Sequence, residues 1–563
     1  MPGEPAISAW IWDRKYRAEG EGAVADTLRR VARAVASVEA DPARWETAFR
    51  LLLDGFAFLP GGRILAGAGL DGAGLNNCFV AGPVEDSPDG VLHALREAID
   101  TLASGGGIGC DFSTLSPRGA PWPGEAPAPG PVAFLGLWDA ACEAFLDASS
   151  RKGAMMATLA CRHPDIEAFV AAKRGRGALP RFNLSVLVPD AFMDAVDADA
   201  AWPLVHGART HRMVRARSLW EAIARSAYDT GEPGVLFVDR INRANNLWWR
   251  EEITAANPCG EAPLPPHGAC CLGSLNLTAF VREPFTPGAR LDEAALAEAA
   301  RLAVRFLDDV VTLTAYPRPE QAEAARAARR IGLGVTGLAD TLLMLGLRYD
   351  AIEGRAAAAQ AVRAIRDAAY EASCELAREK GPFPAFEPQP YLAGAFVAEL
   401  PESLRQRIAR QGTRNSHLLA IAPTGSISLL AGGVSTGVEP VFAAVQTRRL
   451  GDGEEVEVVD PAVALWRARS GQGGEPPAFV TAHEVALEAH LDMQAALQPF
   501  VDGAISKTIN VPADLGFEAF RDVFHMAYAR GLKGCAAFRA GPTRAGVLAA
   551  AGGPCRTRPP ACD

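Results

Sequence analysis

Three cysteines stand in segments whose neighbours could take part in chemistry: Cys259 in NPCGE (257–261), Cys78 in NNCFV (76–80) and Cys270 in ACCLGS (269–274). Cys259 lies between Asn257 and Glu261, and the nearby proline and glycine make the segment read as a loop tip. A carboxylate can take a proton from a hydroxyl. A carboxamide donates and accepts, so it can hold two hydroxyls at once. A thiol between such groups suits work on a hydroxylated substrate. The same spacing also serves a capped turn, and spacing alone leaves both readings open. A structural zinc site is not indicated. Such sites pair cysteines a few residues apart, the chain has no CxxC, and adjacent Cys270 and Cys271 are awkward for tetrahedral coordination. Cys110, Cys142, Cys161 and Cys374 read as small buried hydrophobes.

Two further motifs carry chemistry. PTGSIS (423–428) offers backbone N–H groups and hydroxyls ahead of a helix, which is either an anion site or an ordinary capped helix start. Gly332, Gly334 and Gly337 form a GxGxxG. A dinucleotide fingerprint follows an apolar strand, whereas this one follows EQAEAARAARR (320–330), a helical stretch, so a nicotinamide-dependent dehydrogenase is not expected.

The elements that must position these residues alternate. Val24, Leu28, Val31, Val35 and Val38 recur at helical spacing, so residues 20–55 read as helices. Leu296, Ala299, Ala303, Phe306, Val310 and Leu313 share a helix face, and another helix runs to Leu376 and stops at Gly381-Pro382. Residues 184–188, 235–238 and 417–422 read as strands, which gives an α/β class. Residues 117–131 read as a loop. The expected division is a helical segment at 1–55, a catalytic α/β domain at 56–547, and a flexible tail at 548–563 carrying Cys555 and Cys562.

The bulk numbers restrict the function class. With 563 residues, 49% of them hydrophobic, the chain can bury a large core. A net charge of −10 argues against binding a nucleic-acid polymer, although a nucleotide needs only a local anion site. No run approaches the about 18 uninterrupted apolar residues of a membrane span. The start has no signal-peptide pattern. The expected setting is cytoplasmic, without a membrane. There, eleven cysteines are buried fillers, metal ligands or redox groups rather than a disulfide scaffold.

NPCGE resembles the thiyl-radical loop of ribonucleotide reductases, and the similarity extends along the chain. FLPGGRILAGAG (58–69), NNCFV (76–80), SGGGIGCDFS (104–113), RKGAMM (151–156), HPDIEAFV (163–170), TGEPGVLFVDRIN (230–242), RRIGLGVTGLAD (329–340), IAPTGSIS (421–428), STGVEPVF (435–442) and SKTINVP (506–512) fall in that family's order. The region matching the C-terminal tyrosine pair of metal-radical enzymes reads GCAAFRAG (534–541), with Phe538 and no such pair, and no glycyl-radical motif is present. The resemblance is therefore to the adenosylcobalamin-dependent class. The absence of DxHxxG implies no protein histidine on cobalt, and no metal ligand is expected from side chains.

The resemblance implies a ten-stranded α/β barrel with N-terminal helices and the Cys259 loop inside. A cofactor-derived radical takes the hydrogen of Cys259, and the thiyl abstracts the substrate's 3′-hydrogen. Glu261 accepts the 3′-hydroxyl proton, Asn257 holds the hydroxyl edge, and Cys78 protonates the leaving 2′-hydroxyl. Cys78 and Cys270 then deliver two electrons by closing a disulfide. Cys271 stands where asparagine is expected, which leaves Cys270 favoured over Cys271. Substrate contacts fall on Gly62, Asn77, Gly107, Pro258, Gly260, Pro423, Thr424, Gly425, Ser426 and Ile427, the last four as the diphosphate cradle.

The implied substrate is a ribonucleoside diphosphate, with a ribonucleoside triphosphate as the alternative. Asp86, Arg151 and Lys152, with the loops 114–131 and 149–156, resemble the site for a dNTP or ATP specificity effector at a homodimer interface. Only 57 residues precede Phe58, so no ATP cone and no overall on/off control are expected. Cys555 and Cys562 read either as a shuttle re-reduced by thioredoxin or a similar donor, or as incidental tail cysteines. The rival readings are a metal-dependent reductase large subunit and a catalytically silent nucleotide-binding relative.

Overall fold

A computed structural model describes residues 6–123, 126–146, 154–175, 178–449, 455–539 and 549–550. Arg151, Lys152, Cys555 and Cys562 lie outside these residues. The chain opens with helices α1 (Ala6–Lys15), α2 (Val24–Ala36) and α3 (Pro42–Leu53). On α2, Val24, Leu28, Val31 and Val35 form the buried face that their spacing predicts, while Asp26 accepts the N–H groups of Gly22 and Ala23. The N-terminal helices share one apolar core with the long helices α4 (Glu293–Leu313) and α6 (Ile352–Lys380). Phe306 of α4 meets Phe49 edge-on at 5.2 Å and Phe58 at 5.4 Å. Shorter helices α5 (Leu338–Met344), α7 (Gly425–Leu430) and α8 (Pro461–Ser470) follow strands or loops near the site.

Ten strands form the main sheet: β1 (Phe58–Pro60), β2 (Cys78–Val80), β3 (Gly107–Asp111), β4 (Met155–Ala160), β5 (Phe182–Val188), β6 (Gly234–Phe237), β7 (Ala269–Asn276), β8 (Ile331–Thr336), β9 (Thr508–Val511) and β10 (Gly534–Arg539). Strands β2 to β6 run parallel in chain order. At one end β2 pairs antiparallel with β7, which also takes β1 antiparallel and β8 parallel. At the other end β6 pairs antiparallel with β10, which carries β9 in parallel. The remaining edges approach through residues 417–421, which bridge Leu333 on one side and Ile505 on the other. This is the ten-stranded α/β barrel expected from the sequence.

The strands expected at 184–188 and 235–238 coincide with β5 and β6. Residues 417–422 do not form a strand; they make only the two isolated bridges. The reason is that the Asp502 carboxylate takes the N–H groups of Leu418 and Leu419, at 2.9 and 2.8 Å, so a side chain replaces part of the ladder. Of the GxGxxG glycines only Gly337, at φ +69°, forms the turn between β8 and α5. Gly332 and Gly334 lie within β8, packed against Leu272 and Ala420. Of the segment read as tail, Ala549–Ala550 pair with Gln446 and Thr447.

Alternation along the strands decides what faces inward. Phe79 of β2 and Ile108 and Cys110 of β3 join the outer core beneath the surrounding helices. Cys78 and Val80 of β2, with Cys270 and Leu272 of β7, instead cluster with Ala255, Ala262, Leu264, Ala420 and Ala422 inside the barrel. The interior holds a finger in which Ala255–Ala256 pair antiparallel with Pro263–Leu264. A Cβ on Gly109 of β3 would collide with the Ala256 carbonyl, which is backbone and cannot rotate away. Gly109→Ala is therefore expected to cost about 1–3 kcal/mol by overpacking. Chemical denaturation of the variant against the parent protein checks this.

Candidate active site

The finger carries residues 257–262 at its tip. The Asn257 N–H donates to Ala262 O at 3.2 Å, and the Ala262 N–H returns to Asn257 Oδ1 at 3.0 Å. Gly260 has φ +81°, a conformation that favours glycine, and its N–H reaches Asn257 O at 3.0 Å. This is the capped turn that the sequence left as one reading, and the same turn presents the thiol. Pro258 sits over Gly107, where a Cβ would meet its Cγ at 2.9 Å. Its carbonyl accepts from Asn183 Nδ2 at 2.7 Å. The far side is held by the Ala504 N–H, which donates to Glu261 O at 2.9 Å.

The tip meets β2 at a sulfur. Asn257 Nδ2 lies 3.2 Å from Cys78 Sγ, and Cys78 Sγ lies 3.7 Å from Glu261 Oε1. Cys78 faces Cys270 directly across the β2–β7 ladder. Residues opposed in this way share a face, with Cα atoms about 4.5–5.5 Å apart. That lies within the about 4.4–6.8 Å over which a disulfide can close. Cys271 points the other way, into the core beneath α4, where its Sγ approaches Leu307 O at 3.5 Å. Cys259 itself is half-buried, the one partly exposed member of the group.

Burial sets the protonation of this cluster. Removal from water pushes the Cys78 thiol well up, and the neighbouring Glu261 adds to the effect. Burial likewise pushes up the Cys270 thiol, reinforced by Cys271 and Glu261. Burial also raises the Glu261 carboxyl, against hydrogen bonds from Asn257 and Cys78 that lower it. Its Oε2 is buried with no hydrogen-bond partner among the described residues. The arrangement is two protonated thiols that can form one bond, beside a carboxyl poised to exchange a proton.

The other expected contacts lie near or apart from this cluster. Asn77 Oδ1 is buried without a partner among the described residues, beside Gly61. Thr424 has φ 55° at the start of α7 and makes no side-chain cap; space is open around Gly425. The Tyr16 hydroxyl, after α1, donates to Ser426 Oγ at 2.7 Å, and both approach Gly62. Ile427 belongs to the apolar core. Asp86 is not gathered with these residues. Its carboxylate accepts from the Ser116 N–H at 3.0 Å, the Ser116 hydroxyl at 2.5 Å and Trp122 Nε1 at 2.7 Å, so it fastens the loop that follows β3.

Sequence reasoning missed Asn183, Tyr16 and Ala504. Asn183 carried a signal, since it is one of two polar residues, with Ser185, in the largely apolar run of β5. Tyr16 and Ala504 carried none, because their parts depend on which segments the fold brings together.

No helix among the described residues is long and apolar enough to cross a membrane. The family model described as ribonucleotide reductase, barrel domain, matches residues 76–538. The chain is 40% identical to the vitamin B12-dependent ribonucleoside-diphosphate reductase of Mycobacterium tuberculosis (strain CDC 1551 / Oshkosh), over 95% of this chain and 78% of that protein. It is 34% identical to the protein of the same name from Thermoplasma acidophilum, over 87% and 64% of the two chains. The large subunit of the vaccinia virus ribonucleoside-diphosphate reductase is 27% identical, over 83% and 68%. With the barrel, the inward finger and the opposed cysteines, this match over most of its length means that the chain belongs to the ribonucleotide reductase family.

Proposed function

We propose that this protein reduces ribonucleoside diphosphates to 2′-deoxyribonucleoside diphosphates, with adenosylcobalamin as its radical source. The observation carrying the reading is the meeting of Asn257 and Glu261, which flank Cys259, with Cys78, itself opposed to Cys270. The cofactor class follows the two bacterial and archaeal relatives, whose names state vitamin B12 dependence. The residues fit such a group at one point: Cys259 is partly exposed, and the space over neighbouring Gly260 is open. Adenosylcobalamin, when bound, supplies the oxidising equivalent that turns the Cys259 thiol into a thiyl.

The chain's own residues then account for the reduction. The Cys259 sulfur takes the 3′-hydrogen, and Glu261 accepts the 3′-hydroxyl proton. Cys78, kept protonated by burial, gives its proton to the 2′-hydroxyl, which leaves as water. The Cys270 hydrogen goes to C2′, Cys78 and Cys270 close the S–S bond and leave one electron for the 3′-carbonyl, Glu261 returns its proton to the 3′-oxygen, and Cys259 returns its hydrogen to C3′. The products are one deoxynucleotide, one water and one disulfide. The 423–427 turn holds the diphosphate. Asp86, through the loop 114–131, with Arg151 and Lys152, serves a nucleotide effector in a homodimer, and Cys555 and Cys562 pass electrons from thioredoxin or a similar donor.

An anaerobic assay with CDP, adenosylcobalamin, dithiothreitol and each candidate effector is expected to yield dCDP. A product that forms only with a second metal-containing protein, and without cobalamin, sinks the proposal in favour of the metal-dependent class. The opposed register makes a sharper prediction. Cys270→Ser is expected to end multiple turnover, while Cys271→Ser keeps it, because that sulfur lies in the outer core. Counting dCDP formed per enzyme separates the two.

A further inference from the structure

Helix α5 is buried along its whole length and apolar except for Asp340 and Thr341. An acid in such a place costs stability unless its oxygens are used. Asp340 Oδ2 accepts the Ser435 N–H at 2.8 Å, and the Asp340 N–H donates to Ser435 Oγ at 3.3 Å. The other oxygen, Oδ1, is buried with no donor among the described residues. Burial pushes this carboxyl well up, and the carboxyl of Asp460, also buried, adds to the effect. Asp460 in turn caps α8, accepting from the N–H groups of Ala462 and Val463 at 3.0 and 3.1 Å. Two carboxyls meeting out of water are compatible only when a proton is shared between them.

From Ser435 the bonds continue to the 423–427 turn. Ser435 O accepts the Thr336 hydroxyl at 2.9 Å and the Gly337 N–H at 2.7 Å. Thr336 Oγ1 lies 2.9 Å from Thr424 Oγ1, which accepts the Gly437 N–H at 2.8 Å. Each hydroxyl has one hydrogen. Thr336 spends its own on Ser435, so Thr424 must donate to Thr336. The Thr336 and Thr424 hydroxyls then each donate once and accept once. The series ends on a β-branched residue held at φ 55°, which persists only where its surroundings hold it.

We propose that Asp340, paired with Asp460, is a positioning residue that acts through Ser435 and Thr336 to hold Thr424, and with it the turn that receives the substrate's diphosphate. The inference rests on the reading of 423–427 as that turn. It is tested by calorimetric titration of the full chain with CDP, a readout independent of turnover. Thr336→Val removes the hydroxyl and keeps the shape, and Asp340→Ala removes the carboxyl. Each is expected to raise the Kd for CDP about tenfold, the loss of roughly one hydrogen bond's worth of geometry. Saturating CDP is expected to restore kcat to within about twofold, since only binding is weakened. Asp340→Asn keeps an acceptor for Ser435 and supplies a donor toward Asp460, so it is expected to rescue binding. A folded Thr336→Val protein with the parent Kd overturns the inference, even if Asp340→Ala does not fold. A parent chain that binds CDP yet makes no dCDP overturns the proposed reaction and leaves this inference standing. Failure of the parent chain to bind CDP overturns both.

Discussion

Cys259→Ser is expected to lower deoxynucleotide formation by at least about 10³-fold, the scale on which losing an essential nucleophile or radical carrier is felt. The exchange changes one atom on a half-buried side chain at the finger's tip. The turn is shaped by Asn257, Ala262 and the positive φ of Gly260, none of which is altered. Fold and CDP affinity are therefore expected to persist. What changes is the bond to be broken: an alcohol O–H is stronger than a thiol S–H and gives up hydrogen to a carbon radical far less readily. Two measurements check this, dCDP formation and loss of isotope from substrate labelled at the 3′-carbon. Retained isotope loss in the serine variant would remove Cys259 from the reaction, whatever its position.

Glu261→Gln is expected to reduce kcat by about 10²–10⁴, the usual worth of a positioned general base. The amide keeps the shape but cannot take a proton. The pH dependence follows from burial, which raises the carboxyl above its ordinary range. A base must be ionised to act, so the activity of the parent enzyme climbs as pH rises through that raised value. The glutamine variant is expected to lose this acid limb. Stability moves in the opposite sense. A group whose folded pKa is raised contributes least once pH exceeds that pKa, because ionisation then opposes folding. With Oε2 lacking a partner among the described residues, the neutral variant is expected to melt at a higher temperature than the parent protein at alkaline pH, and the gap closes in acid. An unchanged pH profile in the variant would assign the proton transfer to another group.

Much of the fold was legible from local patterns. The apolar face of α2, the length of α4, the stop of α6 at Gly381, and strands β5 and β6 all follow from periodicity and end signals. Residues 417–422 misled because an apolar run predicts extended chain, not which groups take its hydrogen bonds; Asp502, about 80 residues later, takes two of them. The glycines at 332 and 334 did not mislead, because the helical stretch before them already argued against a dinucleotide site. Their spacing imitates a nucleotide turn, but they are in β8 because Leu272 and Ala420 press against that strand.

The site divides along the same line. By itself the sequence determined that Cys259, Asn257 and Glu261 share one turn, since residues so close in the chain cannot be far apart in space. It also determined the helical and extended segments that local periodicity dictates. Only the tertiary structure decided that Cys78, 181 residues before Cys259, lies at that turn, and that Cys270 rather than Cys271 opposes it. The physical reason is register. Side chains alternate across a strand, so a shift of one residue would exchange the inward sulfur of Cys270 for the outward one of Cys271, and register is set by pairing between segments that local sequence does not encode.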